Sequence, residues 1–114
     1  LLIAAGKAYI DEGKSDRAEA LLLEALSKSR DVLAREKCRF TLAQIYELRG
    51  ETAKAQDQIE LVLGENPESA DAHYRLGLIY QKLGDAVRAR AEWRRAVSID
   101  PMHVAARQKL AEKL

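Results

Sequence analysis

The chain has 114 residues and a net charge of +1; 47% of it is hydrophobic and 32% charged, with six glycines, two prolines and one cysteine. This balance excludes a disordered chain and gives no bulk positive field for nucleic acid. No apolar run nears the ~20 residues needed to span a bilayer, and a lone cysteine, Cys38, excludes an intrachain disulfide or a multi-cysteine metal site.

Apolar residues recur at helical spacing from Leu1 onward, and no segment alternates like a strand. The first predicted helix covers 1–12 and stops at Gly13. The second covers 15–29, opened by Ser15 or Asp16. The third covers 32–49 and stops at Gly50. The fourth covers 52–64, opened by Glu51 or Thr52, and Pro67 blocks its continuation. The fifth covers 69–83 and stops at Gly84. The sixth covers 86–98, opened by Asp85, with Pro101 beyond it. The last covers 103–114. Glycine after a helix suits a left-handed C-terminal cap, and Ser, Asp or Thr oxygens suit N-caps. The chain has no initiator Met, so it reads as a fragment of a longer protein, with its compartment open between cytoplasm and periplasm.

The turns repeat. DEGKSDRA, LRGETAKA and KLGDAVRA place a glycine at positions 13, 50 and 84. Tyr9, Tyr46 and Tyr80 each precede that glycine by four residues, and Ala18, Ala55 and Ala89 each follow it by five. Gly50 and Gly84 are 34 apart, as are Pro67 and Pro101. Such a period marks a stack of identical supersecondary units.

One glycine lies inside a helix. Gly77, in HYRLGLIYQKLGD, costs about 1 kcal/mol relative to alanine. The expectation is that Gly6, Ala43 and Gly77 lie where the first helix of each unit presses on the second, opposite Ala18, Ala55 and Ala89, small against small.

The unit resembles the tetratricopeptide repeat, a helix–turn–helix with the pattern W-x2-L-G-x2-Y, then A-x3-F, A and P. In the third copy His73 takes the Trp slot, Leu76, Gly77 and Tyr80 match, and Gly84, Ala89, Trp93 (for Phe), Ala96 and Pro101 complete the unit. The second copy runs Arg39, Leu42, Ala43, Tyr46, Gly50, Ala55, Ile59, Val62 and Pro67. The first runs Leu2, Ala5, Gly6, Tyr9, Gly13, Ala18, Leu22 and Ala25, lacks the closing Pro, and carries three extra residues in SKSRDV. Leu110, Ala111 and Leu114 fill the Leu, Gly and Tyr slots of a further first helix.

The resemblance implies an all-α, right-handed superhelical solenoid of helix–turn–helix units, read as one domain over 1–114. Its repeats would be about 1–32, 36–69 and 70–103, with an extra capping helix at 104–114. It further implies a protein–protein interaction scaffold that holds a peptide or a helical segment in its concave groove. The stripe lying two residues from the stacking positions would line that groove: Lys7, Lys37, Phe40, Gln44, Tyr74, Leu78 and Gln81. Phe40 and Tyr74 are expected to point away from the stacking core, with junction padding between first helices as the competing reading. The family's Lys/Asn clamp for a C-terminal carboxylate is not matched. Lys7 stands where an Asn is expected, and the only Asn, Asn66, precedes Pro67 in a turn.

The alternative is a self-association module, a homo-oligomer rather than an adaptor. Charge is unevenly spread: Glu51 to Asp71 holds six acids and one base, whereas Ala72 to Leu114 holds nine bases and four acids. The run RARAEWRR reads as a solvated outer face with Arg88 and Glu92 paired at i, i+4. Its one aromatic, Trp93, is taken by the repeat's packing slot, and no nucleic-acid partner is expected because the basic residues lack interleaved aromatics for base stacking. No enzyme, cofactor or metal is expected. His73 and His103 have no nucleophile or second ligand at motif spacing, and Cys38 reads as a small, semi-buried side chain rather than a nucleophile.

Overall fold

The turn glycines set the architecture. In the computed structural model, which describes residues 15–112, Gly50 and Gly84 have φ of +79° and +82°, the left-handed region open to glycine. Each builds the same helix stop. Gly50 N–H donates to the Glu47 carbonyl at 2.9 Å and Glu51 N–H to that of Tyr46 at 2.7 Å. Gly84 N–H donates to the Gln81 carbonyl at 3.0 Å and Asp85 N–H to that of Tyr80 at 2.8 Å. This is the paired bonding of a Schellman motif. The bonds are all between backbone groups, so the motif accounts for the glycine but not for the tyrosine four residues before it. Gly13 and helix 1–12 lie outside the described residues.

Among the described residues there are six α-helices and no strand: α1 (Ser15–Lys28), α2 (Val32–Leu48), α3 (Thr52–Glu65), α4 (Ala70–Lys82), α5 (Ala86–Ile99) and α6 (Val104–Ala111). The first five agree with the sequence expectation to within a residue at each end. The last does not. A helix over 103–114 is expected, but α6 stops at Ala111, and Glu112 turns extended at φ −66°, ψ 140°. Arg90 of α5 explains the stop in part, since its Nη2 donates to the Leu110 carbonyl at 3.0 Å and so satisfies a group the helix end leaves open. Leu114 lies outside the described residues.

The chain divides into two compact units, Leu1–Val62 and Leu63–Leu114. In the first, α1 packs on α2. Leu22, Leu42, Ile45, Ile59 and Val62 are sealed from solvent, as are Ala18, Ala43 and Ala55. Burying a Leu or Ile side chain is worth about 1.5–3 kcal/mol, so this apolar seam outweighs any one polar contact. The extra residues after α1 form a short loop, held by Arg35 of α2, whose Nη1 donates to the Ser29 carbonyl at 3.1 Å.

In the second unit α4 packs on α5 and α5 on α6. The core is Ala89, Trp93, Ala96 and Ala106, with Leu76 and Ile79 of α4 also buried. Asp85 caps α5 as expected, its Oδ1 accepting from Arg88 N–H at 3.0 Å. Two caps were not foreseen. Ser69 Oγ accepts from Ala72 N–H at 3.2 Å and opens α4. His103 Nδ1 accepts from Ala106 N–H at 3.2 Å and opens α6, which places the ring hydrogen on Nε2 facing Asp71 Oδ1 at 2.7 Å.

Gly77 has a reason different from the expected one. A Cβ there would lie 2.9 Å or less from Nε1, Cδ1 and Cε2 of Trp93. The missing side chain therefore makes room for an indole, not for Ala89. Trp93 is 2% exposed, and its Nε1 donates to the Tyr74 carbonyl of α4 at 3.2 Å. A carbonyl has a second lone pair to offer beside its helical bond. Only a glycine three residues on lets the ring lie close enough to use it.

Candidate functional site

The stripe predicted to bind a partner sits on α2 and α4, and Lys7 of that set lies outside the described residues. On α2, Lys37 is exposed and Phe40 and Gln44 are half-buried. The helix's other face, with Leu42, Ile45 and Tyr46, is sealed. The contrast follows from the 3.6-residue turn, which separates positions two apart by roughly 200°.

On α4, Gln81 is exposed, whereas Tyr74 and Leu78 are half-buried and pack against the Ala89–Trp93–Ala96–Ala106 core. The expectation that Tyr74 points away from the core is therefore corrected. Its ring lies 5.1 Å from that of His103, tilted by 43°, because α6 stands beside α4 and covers one edge of the stripe. Tyr74 serves packing and keeps only part of its surface for any partner. Gln81 Oε1 accepts from Lys109 Nζ of α6 at 3.4 Å, and that ammonium sits 5.7 Å from the Trp93 ring. Lys109 thus borders the stripe, a residue that sequence reasoning missed because no local spacing links it to Gln81.

A charged network in the first unit was also missed. The Arg49 guanidinium lies 2.9 Å from Asp16 Oδ1 and 2.9 Å from Glu19 Oε1, and its Nε donates to Ser15 Oγ at 2.9 Å. Tyr46 donates its hydroxyl to Glu19 Oε2 at 2.6 Å. The Tyr46 hydrogen bond and then the Arg49 guanidinium hold the Glu19 carboxyl below its ordinary range. Burial, reinforced by Glu19, pushes the Tyr46 phenol up to about 12. The network joins the first turn of α1 to the end of α2. Its acids also suit the positive pole of the α1 N-terminus.

His73, in the family's Trp slot, makes polar contacts instead of an aromatic packing contact. Its Nδ1 lies 2.7 Å from Glu92 Oε1 and its Nε2 3.1 Å from the Pro67 carbonyl oxygen. Glu92 is therefore engaged by His73, and Arg88 pairs with Asp85 at 3.4 Å, not with Glu92 as expected. Cys38 is buried, more fully than the semi-burial expected. Among the described residues no group of three or more His, Cys, Asp or Glu side chains could hold a metal, and no helix is long and apolar enough to cross a membrane.

Paired helices, glycine-stopped turns and a repeated small–aromatic face define a helical-repeat protein. Residues 70–103 and residues 1–31 each match the family described as Tetratricopeptide repeat, together more than half of the chain. The chain belongs to that family.

Solved structures agree in fold. A tetratricopeptide repeat protein from Parabacteroides merdae is similar at 28% identity and a TM-score of 0.72, covering 95% of this chain and 41% of that one. MamA is similar at 27% identity and a TM-score of 0.71, covering 96% of this chain and 62% of that one. The chain thus spans less than two thirds of either protein. The first TPR of Spaghetti (RPAP3), solved bound to an HSP90 peptide, SRMEEVD, is 20% identical with a TM-score of 0.73, covering 96% and 84%. At that identity the likeness shows the fold alone. No curated protein matches the sequence.

Proposed function

We propose that this chain is a protein-interaction scaffold, and that it holds a peptide or helical segment along the incompletely buried stripe of its first helices. The contacts would come from Lys37, Phe40 and Gln44 on α2 and from Tyr74, Leu78 and Gln81 on α4. Lys7 would continue the stripe on the first predicted helix. The observation that carries the reading is the incomplete burial of this stripe on helices whose opposite faces are sealed. An aromatic recurs on it at 34-residue spacing, Phe40 and then Tyr74. Aromatic side chains with a polar rim are the usual anchors of a binding face.

The neighbour bound to an HSP90 peptide supports peptide capture as a use of this fold. It does not extend to the same peptide, since the Lys/Asn clamp is unmatched here. An amphipathic or apolar segment fits Phe40 and Leu78 better than an acidic tail does.

The experiment is selection from a displayed peptide library, followed by calorimetry on variants. Phe40→Ala should weaken a selected peptide by about 1–3 kcal/mol. Tyr74→Phe, which keeps the packing ring, should weaken it less. Peptides that bind all variants alike would refute the stripe.

A further inference from the structure

The solvent-exposed faces of α3 and α5 carry patches of opposite charge at corresponding places in the repeat. On α3, Asp57, Glu60 and Leu61 fall at i, i+3 and i+4 and are all exposed, Leu61 by 47%. Thirty-four residues on, α5 presents Ala91, Arg94 and Arg95 in the same places, all exposed. Only Glu60 and Arg94 exchange charge position for position; Asp57 aligns with Ala91 and Leu61 with Arg95, so the α3 patch as a whole is acidic and the α5 patch as a whole basic.

These charges are little used within the chain. Asp57, Glu60 and Arg94 have no ion-pair partner among the described residues. Arg95 reaches Glu68 only at 3.5 Å, with both side chains more than half exposed, and such a surface pair contributes little. Val87, one turn before Ala91, is 81% exposed and adds an aliphatic contact to the basic face, as Leu61 does to the acidic one.

We propose that the outward face of α5 docks the outward face of α3 from a second copy of the chain, head to tail. Charge complementarity selects that occupant: each copy carries both halves, and its net charge of +1 brings little overall repulsion. The two faces differ, so the contact is heterologous, and every copy gives one face and takes another. Each of the two helices has 14 residues, about 21 Å of length. One such helix against another buries well under the ~1,000 Å² of a stable interface. The association is therefore weak and is lost when salt screens it. It uses neither Phe40 nor Tyr74 and stands apart from the peptide-binding reading.

Sedimentation velocity over a concentration series tests this. At low salt the weight-average mass should rise with concentration past a dimer, and at ~0.5 M salt, where the screening length is a few Å, it should fall to the monomer. Asp57→Asn with Glu60→Gln removes the acidic face, and Arg94→Gln with Arg95→Gln removes the basic one. All four sites are exposed, so folding should be unchanged by circular dichroism. Each double variant alone should remain monomeric. Mixed, they should stop at a one-to-one dimer, joined by the one complementary pair of faces left. A wild type that is monomeric at low salt, an association indifferent to salt, double variants that assemble as the wild type does, or a mixture that stays monomeric would each overturn the proposal.

Discussion

At the scale of single residues, Gly77 and Trp93 act as one feature. The glycine gives up about 1 kcal/mol of helix propensity, and in return the largest side chain of the second unit lies against the α4 backbone with its N–H satisfied. Gly77→Ala should therefore destabilise the protein by about 1–3 kcal/mol, since overpacking exceeds the propensity gained. Gly64, near the end of α3, supplies the control: an added Cβ meets nothing within 4 Å. Gly64→Ala should stabilise by roughly 0.5–1 kcal/mol. Urea melts of the two variants should shift in opposite directions, and shifts of the same sign would remove this account of Gly77. Trp93→Ala should cost about 3–5 kcal/mol, and a loss below ~1 kcal/mol would contradict its burial. The need for a small residue at 77 was legible in the sequence, but its partner was not. Repeat spacing aligns positions without saying which side chain is long enough to reach across.

At the scale of elements, polar ties fix how helices pair within each unit. Tyr46, Glu19 and Arg49 join α1 to α2. The Glu19 carboxyl has a folded-state pKa below its ordinary 4.5. Its contribution is therefore present above pH 4.5 and is lost as pH falls through the folded value. Glu19→Gln should cost on the order of 1 kcal/mol at neutral pH and nothing in strong acid. Stability curves of the two proteins that stay parallel down to pH 2 would show that Glu19 carries no such linkage. Tyr46 has the opposite sense: its phenol is raised from 10.0 to about 12, so its share holds below pH 10 and fades toward 12. Helix positions were legible because glycines, prolines and apolar periodicity are local signals. The Arg49 network and the Lys109–Gln81 contact were not, because their partners lie some 30 residues apart and no spacing rule connects them. The length of α6 was overestimated for a related reason, since one of its open terminal carbonyls is satisfied by Arg90 of another helix.

At the scale of the whole molecule, the family and its all-α repeat class were readable from three linked copies of one pattern, and the family matches and the fold agree. The candidate stripe was readable only as helix faces. For Tyr74 the competing reading, padding between neighbouring first helices, is the one its contact with His103 at the N-cap of α6 favours, and spacing alone could not choose between the two. The central claim is that a partner lies on the α2 and α4 stripe rather than on the outward faces of α3 and α5. The most direct measurement is amide shift mapping with a library-selected peptide, at salt high enough to suppress any charge-driven association. The account predicts perturbations that cluster between Lys37 and Gln44 and between Tyr74 and Gln81, and that need a higher peptide concentration to appear in Phe40→Ala. Perturbations that cluster instead around Asp57–Leu61 or Ala91–Arg95 and survive Phe40→Ala would contradict it.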